Sequence, residues 1–171
     1  MNDYCRRYAA FMDECKTERE ATTWAVREAE KQGFKPLVAG MDLKPGDRVY
    51  MNNRDKSILL AVMGAQPMSA GANICAAHVD SPRMDLKPNP LYEDSEIAYL
   101  KTHYYGGIKK YQWVAQPMAI HGVVAKKDGT VVDVVVGEKD TDPVMVITDL
   151  LPHLGAKQMD QKASMVITGE N

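Results

Sequence analysis

Near the start of the chain, apolar residues recur at helical spacing. Tyr4, Tyr8, Phe11, Met12 and Cys15 stand three or four positions apart and would line one face of a helix. Thr17 followed by Glu20 has the form of a capping box, and Gly33 supplies a stop, so a second helix is predicted over residues 18–32. Trp24, Ala25 and Ala29 would face inward there, and the stripe reads as core packing. From Lys35 the pattern shifts to short β-type runs between turn residues. Pro45-Gly46-Asp47 leads into a strand at 48–52, Asn53-Arg54-Asp55 turns the chain, and 57–63 returns as an apolar strand, which together make a hairpin. In residues 71–80, Ile74, Cys75, Ala76 and Ala77 predict a buried strand that ends at His78. A buried strand after helices points to a sheet covered on its faces.

The rest of the chain is predicted to be mostly β. Residues 97–104 read as a strand that Tyr105-Gly106-Gly107 interrupts, with a turn as the plainer role for the glycine pair. Residues 118–125 and 130–136 flank Lys127-Asp128-Gly129, a strong hairpin signal, and Val134 to Val136 add β propensity. A short strand follows at 144–147. Asp149 is placed to cap a brief helix through Leu150 and Leu151 with Pro152 in its first turn, and 164–168 form a last strand. There is no internal repeat, low-complexity tract or flexible linker. The fold class expected is α/β.

Composition narrows the function classes. With 171 residues, 45% hydrophobic and 26% charged, the chain matches soluble globular proteins and has enough length for a real core. A net charge of −2 gives no electrostatic reason to expect nucleic acid or an anionic membrane as partner. Lys109-Lys110 beside Tyr111 and Trp113 is too small a basic patch to change that. Cys5, Cys15 and Cys75 are odd in number and unevenly spaced, as expected of reduced cysteines. The polar N-terminus lacks the apolar stretch of a signal peptide, and the longest apolar run, 58–63, is too short for a bilayer. A cytoplasmic location is expected. Eleven methionines read as core and dimer contacts.

The chemistry concentrates in Ala76-Ala77-His78-Val79-Asp80-Ser81-Pro82-Arg83. On an extended strand, residues two apart share a face, so His78 and Asp80 can be neighbours. A carboxylate that holds the second nitrogen of a metal-bound imidazole fixes its tautomer and raises its basicity, and Asp80 is placed for that or for a position near a metal-bound water. Pro82 restricts Ser81 to extended backbone and stiffens the loop. By itself one His and one Asp do not define a site, since zinc needs at least three protein ligands. The other histidines, His103, His121 and His153, show no metal-type spacing.

Further blocks extend the pattern: Asp85-Leu86-Lys87-Pro88, then Tyr104-Tyr105-Gly106-Gly107-Ile108-Lys109-Lys110-Tyr111-Gln112-Trp113, then Thr148-Asp149-Leu150-Leu151-Pro152-His153-Leu154. In order and spacing these resemble the aspartyl aminopeptidase and vacuolar aminopeptidase I family of zinc metallo-aminopeptidases, over essentially the whole chain. The resemblance implies the N-terminal part of an α/β metallo-exopeptidase catalytic domain over residues 1–96, followed by part of a β-rich dimerisation domain over 97–171. It implies that His78 is a zinc ligand, that Asp80 orients it, and that two zinc ions occupy each complete active site. It further implies a peptide substrate and a homodimer that assembles into a larger homo-oligomer. His153, or Lys157 if the last block is aligned without gaps, falls at the position that reaches the active site of a partner subunit. The family's remaining ligands belong to a later part of the catalytic domain, so the chain is expected to be an N-terminal portion. The alternative, from another class, is a non-catalytic dimerisation or assembly fragment without a complete metal site.

Overall fold

The computed structural model describes residues 2–168, in two compact units, Met1–Ser81 and Pro82–Asn171. The expected boundary at residue 97 falls inside a hairpin of the second unit.

The first unit begins with α1 (Asp3–Glu14), whose N-terminus is capped by the Asn2 side chain accepting from the Cys5 amide at 2.9 Å. Helix α2 (Glu18–Lys31) starts on the predicted capping box: Thr17 Oγ1 accepts from the Glu20 amide, and the Glu20 carboxylate accepts from the Thr17 amide. It ends at Gly33, which takes a left-handed φ of +80°. Trp24 meets Phe11 edge-on at 4.8 Å, and Arg27 reaches back to Glu14 at 2.7 Å, so the two helices are tied by one ring contact and one ion pair. Burial pushes the Cys15 thiol up to about 11, with the Glu14 and Glu20 charges adding to the effect. The stripe on α1 is only partly core. Phe11 and Cys15 are half-buried, whereas Tyr4, Tyr8 and Met12 are exposed.

Strands β1 (Lys35–Pro36), β2 (Arg48–Asn53) and β3 (Ser57–Val62) form one sheet in that order, with β1 parallel to β2 and β2 antiparallel to β3. The β2–β3 turn places Arg54 and Asp55 in left-handed backbone. Helix α2 packs on β2 and β3. The Tyr50 hydroxyl donates to Glu30 of that helix at 2.7 Å, and the Arg48 guanidinium donates to the Gln32 carbonyl at 2.8 Å. Among the described residues every buried hydrophobic side chain lies here: Ala21, Ala29, Val49 and Tyr50. Thr22 is fully buried beside them, and no hydrogen-bond partner meets its hydroxyl.

The buried strand predicted for 71–80 does not form. Residues 71–82 carry no regular structure, and Ile74 is 88% exposed. β propensity is a preference for packing against neighbouring strands, and among the described residues no strand pairs with this segment. The sheet therefore stops at β3, whose outer edge is open.

The second unit is built from two hairpins. Strand β4 (Arg83–Asp94) pairs antiparallel with β5 (Ile97–Tyr105) through the two-residue turn Ser95-Glu96, both residues left-handed. Sequence patterning missed β4 because of Pro88 and Pro90. The register shift between Leu86 and Leu91 sets Lys87-Pro88-Asn89-Pro90 opposite Lys101 alone, so the prolines sit in a bulge and break no ladder bond. Strands β6 (Ile120–Ala125) and β7 (Val131–Val136) form the predicted hairpin around Gly129. Asp142 then closes a loop by accepting from the Gly137 and Lys139 amides at 2.9 and 3.2 Å, bonds that hold its carboxyl below the usual range.

Three other short elements differ from expectation. Residues 144–147 contribute only the isolated bridges Met118↔Met145 and Val114↔Ile147. Asp149 caps no helix at Leu150: it accepts from the Leu150 amide and from Gln158 of the short helix α3 (Ala156–Met159). The last predicted strand is a pair of turns, with the Met165 and Val166 amides both donating to the Lys162 carbonyl. Residues 169–171, where the chain ends, lie outside the described residues.

The accessible surface is 13749 Å². A single folded chain of this mass exposes about 8,400 Å², and two separate units of half the mass about 10,100 Å². Exposed apolar side chains on strands and loops include Leu59, Leu60, Val62, Ile74, Leu91, Val131 and Val135.

Two substitutions probe this packing. Thr22→Val replaces an unsatisfied buried hydroxyl with a methyl of the same shape and is expected to raise the urea-unfolding free energy of the first unit by about 1 kcal/mol. Gly137→Ala acts the other way: its Cβ would lie 2.9 Å from the Ala119 Cα at a φ of +105°. A loss of about 2 kcal/mol is expected in the urea-unfolding free energy of the second unit.

Candidate metal-ligand site

His78 and Asp80 lie on the irregular segment between β3 and β4, and the extended backbone there brings them together. The His78 Nδ1 is 2.9 Å from Asp80 Oδ1 and 2.7 Å from the Asp80 carbonyl oxygen. Both facing atoms are acceptors, so in the neutral imidazole the proton belongs on Nδ1 and the lone pair on Nε2. The His78 side chain is 80% exposed and that of Asp80 22%. An imidazole whose Nδ1–H is held by a carboxylate, with Nε2 facing outward, has the form of a metal ligand and its orienting partner.

The pair fits one corner of a zinc site. Among the described residues no group of three or more His, Cys, Asp or Glu side chains is gathered where a metal could sit. A zinc site built on this pair would need ligands from outside those residues.

The other candidates belong to the second unit. His153 is exposed on the turn after Leu151, whose carbonyl accepts from the Leu154 and Gly155 amides. Lys157 is exposed on α3. Sequence reading assigned no part to Arg83. Its Nε donates to Asp85 Oδ1 at 2.7 Å, and its guanidinium lies 4.2 Å from the Tyr105 ring centre. Alternation along β4 is the signal that pairs residues 83 and 85, and it becomes visible only once β4 is known. His121 was likewise left aside. Its Nε2 is 2.8 Å from Glu138 Oε1 beside the β6–β7 hairpin, a contact between two residues far apart in sequence.

All three cysteines are free, and among the described residues no helix is long and apolar enough to cross a membrane.

A carboxylate-held histidine on a mixed α/β chain has the form of a single metal ligand, and comparison with known proteins gives the family. The model of the family described as aminopeptidase I zinc metalloprotease (M18) matches residues 11–169. The chain belongs to the M18 family. It is 54% identical over 169 residues to a probable M18 family aminopeptidase 1 of Clostridium acetobutylicum, covering 96% of this chain and 36% of that protein. Its fold matches the crystal structure of an M18 aminopeptidase from Thermotoga maritima with a TM-score of 0.89, at 45% identity over 98% of this chain and 36% of the other. The aminopeptidase I structure from Clostridium acetobutylicum matches at 0.83, with 50% identity over 96% of this chain and 37% of the other. The chain thus spans little more than a third of the length of these relatives.

With one histidine and one carboxylate, the 171-residue chain is expected to retain far less than one equivalent of zinc after gel filtration, measured by atomic emission.

Proposed function

We propose that this chain is the N-terminal portion of a zinc-dependent aminopeptidase, with His78 as its first metal ligand and Asp80 as the group that orients it. The observation that carries the reading is the pair itself: two acceptors at His78 Nδ1 leave Nε2 as the coordinating atom. Membership of a zinc metalloprotease family supports zinc as the metal, and a complete site of two ions extends that support. The substrate proposed is the N-terminal residue of a peptide. Zinc would supply Lewis-acid activation of the scissile carbonyl and of the attacking water. Asp80 would keep the imidazole in one tautomer and one orientation through the reaction, and Pro82 would limit the freedom of the loop that presents both.

The second unit is proposed as part of a dimerisation domain in a cytoplasmic homodimer that builds a larger homo-oligomer, with His153, or Lys157, reaching the active site of the partner subunit. Its open hairpins support this, since their apolar faces are exposed and no hydrophobic side chain in them is fully buried among the described residues.

A second reading rests on the absence of a three-ligand cluster among the described residues. In it, the chain alone is a non-catalytic assembly piece.

The test uses a polypeptide of the relatives' length that contains this chain. Zinc-dependent release of N-terminal residues is expected, and His78→Ala should abolish it. Asp80→Asn should lower zinc affinity or activity by about 10–100-fold. Full activity of the His78→Ala protein would sink the proposal, and stoichiometric zinc on the 171-residue chain would sink the second reading.

A further inference from the structure

We infer that a cleft in the first unit, at the carboxyl end of α2, binds a free α-amino acid with an apolar side chain. The inference does not rest on the peptidase reading. The cleft has a volume of about 430 Å³, within the range of small-molecule sites, and opens between the end of α2 at Gln32, strand β1 and the turn that leads into β2. Backbone bonds order its walls: the Leu37 amide donates to the Tyr50 carbonyl at 2.7 Å, and the Gly46 amide donates to the Met63 carbonyl at 2.8 Å. Val49, only 3% exposed, and the half-buried Leu43 give it an apolar side. Arg48 is held from two directions, with Nη1 donating to the Gln32 carbonyl at 2.8 Å and the guanidinium 5.9 Å from the Phe34 ring centre. Those contacts leave its Nε and Nη2 donors without a protein acceptor, an edge that matches the two oxygens of a carboxylate. Lys35 also lines the cleft and has no carboxylate partner among the described residues. Asp47 is the one carboxylate on the wall among those residues: Oδ2 accepts from the Lys44 amide at 2.7 Å, and Oδ1 is left open.

Charges of both signs beside an apolar side match a zwitterion. The carboxylate of an amino acid takes the open edge of Arg48, with Lys35 adding to the attraction, while its ammonium takes Asp47 Oδ1 and its side chain covers Leu43 and Val49. Charge decides between this ligand and simpler ones. A plain organic anion would meet Asp47 and the negative end of the α2 dipole as well as the two cations. A plain amine would meet Arg48 and Lys35. Only a ligand that carries both charges leaves neither side of the cleft opposed. Arg48 and Asp47 are already restrained by the Gln32 carbonyl and the Lys44 amide, so little ordering cost opposes binding.

The test titrates L-leucine, N-acetyl-L-leucine and L-leucinamide into the isotope-labelled chain and follows backbone amide shifts by NMR. The readout involves neither zinc nor peptide cleavage, so it holds or fails apart from the peptidase proposal. Leucine should give saturable shifts at Gly33, Gly46, Asp47 and Val49. The acetylated compound lacks the ammonium and the amide lacks the carboxylate, and each should bind about tenfold more weakly. Arg48→Gln should weaken leucine by a similar factor and remove its advantage over leucinamide. Asp47→Asn keeps an acceptor for the Lys44 amide, so it preserves the turn and carries the test if Arg48→Gln loses the fold; it should remove the advantage over N-acetyl-leucine. Absence of saturable shifts overturns the inference, as do shifts confined to residues outside the cleft or equal binding of all three compounds.

Discussion

The seating of α2 on the β2–β3 hairpin is the contact on which the first unit depends. Ala21 and Ala29 are small enough to let the helix approach the sheet, and Tyr50 reaches across to Glu30. That contact holds every buried hydrophobic side chain among the described residues. It explains why the local signals around it are consistent. The capping box at Thr17 fixes where the helix begins, Gly33 fixes where it ends, and Gly46 and Asp47 pair with Met63 to close the base of the hairpin. Beyond Val62 nothing comparable holds the chain among the described residues, and only a single 3-10 turn, Met68–Ala70, stands before β4.

How much was legible in the sequence follows the same division. The two helices, the β2–β3 hairpin and the β6–β7 hairpin rest on local chemistry: caps, left-handed turn residues and alternation over a few positions. The second helix and both hairpins were read within a residue or two, and the first helix was read from its apolar stripe. The segment 71–80 was misread because an apolar, β-prone run becomes a strand only when another strand lies beside it. Strand β4 was missed for the opposite reason. Its two prolines argue against a strand locally, and the bulge that accommodates them is defined by the partner strand. At the site, His78 and Asp80 were legible because their spacing alone makes them neighbours. The Arg83–Tyr105 stack was not, since it depends on the register between two strands 22 positions apart at that pair.

Family membership and surface area describe the same situation from two sides. The match to M18 aminopeptidases covers nearly all of this chain and little more than a third of its relatives. The chain exposes thousands of square ångströms beyond what folded domains of its size leave in water. The open edge of β3, the unpaired run before His78 and the bare faces of the second unit are all surfaces for which burial would be favourable. His78 is exposed in the same way, with its Nδ1 held by Asp80 and four-fifths of its side chain open to solvent.

Strand β7 carries a consequence of its own. Its sequence, Val-Val-Asp-Val-Val-Val, has five β-branched residues and a single charge, Asp133, whose cross-strand neighbour is Val123. Six-residue windows of this kind stack readily into cross-β ribbons when their edges are free. The carboxylate at the third position would bring like charges into register with every added copy, and no other residue of the strand opposes that growth. Asp133 is therefore the one charge that works against such stacking, on a strand whose other five positions favour it.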